Sequence, residues 1–322
     1  MSLRSLIRSW NEFFFKPQSA SPIALYRILY GLLVIADIVL LWPSWLTWYG
    51  PKGFITLETV YKVSVPGPRI NFFEILPKTD FAVNAFFWAF LLVAISLTLG
   101  FMTRFSAVAV CMCLGSIQER NFYILNSGDS LLRIISFILI FAPAGAALSV
   151  DRILRMRRGR EDSAVRLYSP WAQRLIQIQL AVLYFATFYW KTIGPSWMDG
   201  TAIYYVLRLD AFRHFPMPSI NSLWVVKCLT WGTLLIEFSL GVLVWFKELR
   251  YPVLIAGICL HLGIEYSMNI PLFEWIMMAT FVTFVEPQDL SRTWNWVRGR
   301  FGHHRTAQPR IHVLASRVKE TG

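Results

Sequence analysis

Charge and cysteine are both scarce in this sequence. Only 16% of its 322 residues are Asp, Glu, Lys or Arg, against about a quarter in an ordinary soluble chain, which excludes a soluble globular protein of this length. The four cysteines, Cys111, Cys113, Cys228 and Cys259, all fall inside apolar runs, where a thiol behaves as a small apolar side chain. Cys111 and Cys113 are spaced C-x-C, which is not the exposed C-x-x-C of redox chemistry, so a disulfide or thiol-redox role is not expected. H-E-x-x-H and G-x-S-x-G are absent, and no pair of intramembrane aspartates suited to a membrane protease is evident, so the sequence shows no protease. His303 and His304 have no cysteine or carboxylate at ligand spacing, and no metal site is expected. Residues 2–21 are polar and aromatic, and the first apolar run is long and lacks an A-x-A site. The expectation is therefore a retained anchor and not a cleaved signal peptide.

What is abundant is apolar surface. Hydrophobic residues make up 56% of the chain and the mean hydropathy is +0.49, values of an integral membrane protein. Apolar runs at residues 23–42, 81–100, 105–117, 131–150, 172–190, 223–246, 252–269 and 272–285 predict an all-α, polytopic bundle of about eight transmembrane helices. The third and eighth runs, of 13 and 14 residues, fall short of the roughly 17 needed to cross, so flanking residues must extend them or they are re-entrant. With an inside amino terminus, 19 basic residues fall on the inner side and 8 on the outer, which places both termini in the cytoplasm. The net charge of +12 is then an orientation signal on an anionic inner leaflet, and no aromatic-basic groove supports nucleic-acid binding. The expected organisation is a cytoplasmic segment over 1–20, a membrane domain over 21–287 and a basic cytoplasmic tail over 288–322. The first outer loop, residues 43–80, reads as a turn-rich cap held to the interface by Trp42, Trp45, Trp48 and Tyr49. The linker 151–169 reads as a solvated basic helix on the headgroups, and the tail as an interfacial helix with a disordered end.

Charges at membrane depth carry the functional signal, because each needs a partner or a watery cavity. Lys191 follows directly on the fifth run and opens YWKTIGPSWMDGTA, close to Trp190, Trp197 and Asp199. It either snorkels to the headgroups or belongs to a polar pocket. Arg27 and Asp37 lie ten residues apart on the first span, about 80° apart around the helix, so both can face the interior. Glu237 lies deep in the sixth span. His261 and Glu265 are i, i+4 in the seventh, a spacing that suits an imidazole-carboxylate hydrogen bond, and Asp129 and Arg133 repeat it at the start of the fourth. These groups are either structural ion pairs between helices or the lining of an outward cavity where Lys191, His261, Asp129 and Arg133 converge.

Four strings in register resemble the HTTM family, the horizontally transferred transmembrane domain that includes vitamin K-dependent gamma-carboxylase. They are SPIALYRILYGLLVIADIVLLWP, SIQERNFYILNSGDSLLRIISFILIFAPAGA, YFATFYWKTIGPSWMDGTAIYY and HLGIEYSMNIPLFEWIMMA. The resemblance covers residues 20–287. It implies that Lys191, six residues before Trp197, stands where the carboxylase keeps the base that deprotonates vitamin K hydroquinone, and that His261 is a shared histidine. The family asparagine and histidine before the fourth span are replaced by Arg120 and Asn121, and the carboxylase's large extracytoplasmic domain has no counterpart, which speaks against peptide carboxylation by this chain alone. The length, the isolated membrane domain and the opening MSLRSLIRSWNEFFFKPQSASP are similar to family members that imply another role, maturation of a secreted peptide toxin of the sporulation-delaying type. That likeness implies two partners, the toxin precursor and a small accessory protein. The leading expectation is such a maturation factor, and the rival is an enzyme with Lys191 as base and His261 oriented by Glu265. A transporter or immunity protein is a third class, although no inverted repeat is evident. The sequence names no cofactor.

Overall fold

The computed structural model describes residues 2–63, 71–160, 164, 166–215 and 220–301, and the described residues are almost wholly helical. The chain divides into two units, Met1–Pro287 and Gln288–Gly322. The helices of the first unit are α1 Leu3–Phe15, α2 Ser21–Leu41, α3 Trp45–Tyr49, α4 Leu57–Val63, α5 Asp80–Leu99, α6 Thr103–Arg120, α7 Ser127–Phe141, α8 Val150–Arg157, α9 Trp171–Ile193, α10 Pro195–Met198, α11 Ala202–Val206, α12 Leu223–Gly241, α13 Arg250–Ser267 and α14 Phe273–Thr280, which runs on as a 3-10 turn to Phe284. A two-residue antiparallel pair, β1 Gln18–Ser19 with β2 Leu167–Tyr168, ties the start of α2 to the start of α9. In the second unit α15, Pro287–Phe301, carries exposed Trp294 and Trp296. His303 and His304 and the end of the tail lie outside the described residues.

Each of the eight apolar runs holds a helix with shifted ends, and the eighth stays short, the eight residues of α14 followed by a four-residue 3-10 turn. Three stretches are long and apolar enough to cross a membrane by length and composition: Ser21–Tyr49, Asp80–Leu99 and Leu223–Gly241. The third run grows at both ends into the 18-residue α6, because Asp151 caps its start by accepting from the Met102 and Thr103 amides, each at 2.8 Å, and from the Thr103 hydroxyl at 2.7 Å. The fourth run is shorter than its apolar length. It starts at a capping box in which the Asn126 side chain accepts from Gly128 and Asp129 while Asp129 accepts from the Asn126 amide, and it stops at Phe141, just before Pro143. Gly100, at φ +69, turns the chain from α5 toward α6, and a Cβ there would lie 2.6 Å from Arg27 Nη1.

The core forms where α2 packs along α5, α6 along α5 and α7, α12 along α9 and α13, and α14 against α13, α7 and α2. Trp45 and Tyr49 do not sit at an interface as their aromatic character suggests. Both are buried, Trp45 against Phe73, Phe86 and Phe87 and Tyr49 against Trp45 and Phe73, and the Trp45 indole N–H donates to the Val83 carbonyl at 3.2 Å. Burying a tryptophan requires a partner for its N–H, and the end of the neighbouring helix provides one.

Candidate functional site

Polar side chains meet where α9, α12, α13 and α14 converge. Tyr184 and Lys191 lie seven residues apart on α9, two helical turns, and therefore on one face. Lys191 Nζ donates to Glu237 Oε1 on α12 and stands 4.8 Å from the Trp197 ring centroid. It is neither a free snorkelling lysine nor a partner of Asp199. The Asp199 carboxylate accepts instead from the Thr201 amide at 2.9 Å and hydroxyl at 2.6 Å, closing its own turn. The Lys191 side chain is 27% exposed and that of Glu237 only 8%, so the lysine is the wet end of the pair.

His261 has a different orienting group from the one its sequence neighbours suggest. Its Nδ1 meets Glu274 Oε2 on α14, and its Nε2 meets the Tyr184 hydroxyl. All three are buried, Glu274 completely. Against a carboxylate acceptor the imidazole donates through Nδ1, and that tautomer leaves Nε2 to accept from the Tyr184 hydroxyl. The expected His261–Glu265 pair does not form. The helix turns Glu265 to a half-exposed position where its backbone carbonyl meets His214 Nδ1 at 2.9 Å, while His261 faces inward. Glu237 and Glu274 both lie within electrostatic reach of the Tyr184 hydroxyl, which links the two pairs. Glu237 Oε2 and Glu274 Oε1 are buried with no hydrogen-bond partner, and Phe281 closes one side at 5.8 Å from the imidazole.

The second i, i+4 expectation also fails. Asp129 is used as the helix cap, and Arg133 pairs with Glu119 at 3.2 Å on α6. Asp37 and Asp129 come from different helices yet fall within electrostatic reach of each other, a proximity that no linear motif contains. Arg120 donates through Nη2 to the carbonyls of Gly50 at 3.2 Å and Ile55 at 2.9 Å, bracing the first loop, while its Nη1 stays buried and unpartnered. Asn121 is fully buried, and its side-chain oxygen accepts from the Tyr123 amide at 3.2 Å. Arg27 is at the other end of the bundle. It donates to the carbonyls of Ala144 and Leu148 at 2.6 Å and of Thr98 at 3.3 Å, so it anchors loops and faces no cavity shared with Lys191. Of the four residues expected to converge, Lys191 and His261 come together on either side of Glu237, with Trp197 beside the lysine, whereas Asp129 is taken up at the start of α7 and Arg133 by Glu119. The structure adds Tyr184 and Glu274, both missed: Glu274 is a carboxylate in an apolar run and carried the same signal as Glu237.

The molecule is thus a helical protein with helices long and apolar enough to cross a membrane and a buried polar chain where α9, α12, α13 and α14 meet. It belongs to the HTTM domain family, whose profile matches residues 15–288, a membrane-associated family. The chain is similar to the sporulation-delaying protein SdpB of Bacillus subtilis (strain 168), with 24% identity over 281 residues covering 85% of this chain and 83% of that protein. It is also similar to the uncharacterized protein YitO of the same strain, with 22% identity over 223 residues, 67% of this chain and 71% of that one. No solved structure matches.

Proposed function

We propose that this chain is a multi-pass protein of the plasma membrane that acts in producing a secreted peptide toxin of the sporulation-delaying type from its precursor, together with a small accessory protein. About eight crossings, with both termini in the cytoplasm, agree with a helix in each of the eight apolar runs, the last of them short, and with 19 basic residues on the inner side against 8 outside. The observation that carries the reading is the likeness to SdpB over most of both chains. In this reading Lys191 and His261, with Glu237, Tyr184 and Glu274, form the part of the bundle that handles the precursor. The test is to express the chain with a precursor peptide and a small accessory protein and to follow precursor mass in the medium. Unchanged precursor processing on deletion of this chain would sink the proposal.

A second reading, a membrane enzyme of carboxylase-like chemistry, is favoured by one feature. The Tyr184–His261–Glu274 chain is an oriented acid-base relay, in which the carboxylate fixes the imidazole tautomer and the imidazole can accept the phenolic proton. Lys191 as the base is less favoured by its ion pair, because its amine is already engaged by the Glu237 carboxylate. Incubating the purified chain with a reduced quinone and following its deprotonation spectrally separates the two readings. A transporter or immunity role has no such supporting feature.

A further inference from the structure

The end of the bundle away from Lys191 contains a second site, unconnected with the polar chain. A cavity of about 640 Å³ opens between the start of α6, the end of α7, the basic helix α8 and the start of α9, within the roughly 300–1,000 Å³ of pockets that hold small ligands. Its wall is aromatic and its rim is cationic. Phe105 and Phe141 line it with 62% and 47% of their surface exposed, and Trp171 packs on Phe141 at 6.0 Å between ring centroids. Arg104 and Arg155 stand at the rim. Among the described residues the exposed Arg104 guanidinium makes no hydrogen bond or ion pair, whereas Arg155 donates to the Gly145 carbonyl at 3.0 Å. The one acidic side chain in the lining, Asp151, has both oxygens committed to the start of α6. Among the described residues the Arg104 charge is therefore left without an acidic partner.

We infer that this cavity binds the headgroup of an anionic phospholipid, with the acyl chains laid along the exposed faces of α6 and α7. Two features select an amphipathic anion over a free one. The cationic rim matches a phosphodiester, which accepts charge-assisted hydrogen bonds from guanidinium. The apolar wall does not end at the cavity: Val108 follows Phe105 by three residues, and Phe137 precedes Phe141 by four, and both are exposed on the same helix faces. A free phosphate would leave that aromatic wall uncovered, and a neutral lipid would leave Arg104 unpaired. Ile153 and Met156, exposed on α8 beside its arginines, give that helix the composition of an interfacial segment and place the rim at headgroup level.

The test is native mass spectrometry of the purified full chain in maltoside micelles, with dioleoyl phosphatidylglycerol or dioleoyl phosphatidylcholine added. One retained phosphatidylglycerol per chain is expected, with weaker retention of phosphatidylcholine. Arg104→Gln should lower retention about fivefold, the effect of one basic residue near a lipid surface, and Arg104→Lys should restore most of it. Because Arg104 makes no bond within the described protein, its variants keep the fold, and an unchanged melting curve checks this. A phosphatidylglycerol bearing a photoreactive acyl chain should label the peptides containing Phe105 and Phe141. Equal retention of the two lipids, undiminished retention by Arg104→Gln, displacement by glycerol phosphate at the same concentration as the lipid, or labelling confined to other helices would each overturn the inference.

Discussion

Replacing Lys191 by methionine removes the one partner, among the described residues, of a carboxylate that is 8% exposed and already has one oxygen unpaired. Breaking a buried ion pair from one side costs about 3–5 kcal/mol, most of it the stranded charge. The lysine side is 27% exposed, so water reaches part of the gap, and the Trp197 contact at 4.8 Å is lost as well. The lower end, about 3 kcal/mol, is therefore expected for Lys191→Met. Adding Glu237→Gln removes the stranded charge and leaves a neutral amide, so the double variant should sit only about 1 kcal/mol below the parent. Unfolding in mixed micelles of mild detergent and dodecyl sulfate measures all three stabilities, and precursor conversion by mass measures function in the same set. A double variant that recovers stability but not conversion ties the charge pair to function. Single and double losses that add to within about 0.5 kcal/mol would refute the coupling.

His261→Ala and Glu274→Ala should be non-additive in stability and in precursor conversion, with the double variant no worse than His261→Ala, while Glu265→Ala changes stability by less than about 0.5 kcal/mol. Arg27→Met, which strands the carbonyls of Thr98, Ala144 and Leu148, should cost about 3 kcal/mol or more in the same unfolding assay, against about 1 kcal/mol for loss of the cap in Asn126→Ala. In a background without native cysteines, cysteine at 126 or 197 should react with an impermeant maleimide on intact cells and cysteine at 158 should not. The reverse pattern inverts the proposed topology.

The long helices were legible because apolar length is a local property, and their ends were less so because ends are set by single residues. Pro143 halts the fourth helix inside an apolar run, whereas Asp151, 48 positions downstream of Thr103, starts the third. Gln173 and Gln177 look wrong for a membrane span until the fold brings both amides to the Thr283 carbonyl at 2.6 and 2.5 Å. In that position they satisfy a carbonyl freed where α14 tightens into a 3-10 turn. The depth of Lys191, Glu237 and His261 was readable from their apolar flanks. Their partners were not, because each partner sits on another helix.

The failure of both i, i+4 assignments has a common physical cause. On an isolated helix in water the nearest partner for a charged side chain is one turn away, and the pair gains only a few tenths of a kcal/mol. In a bundle the inward face of the same helix meets a neighbour at close range, and a buried charge there must be paired or it is very costly. His261 therefore takes Glu274 and leaves Glu265 toward the half-exposed side, and Arg133 takes Glu119 once Asp129 is committed to the amides of its own helix start. The residue that decides each case is the most buried one: Glu274, with no exposure, has no solvent to fall back on and captures the histidine. For a chain of this kind, a carboxylate in an apolar run is thus a better guide to an interhelical site than a well-spaced pair on one helix. By the same reasoning the unpaired oxygens of Glu237 and Glu274 are where a bound precursor group or water gains most.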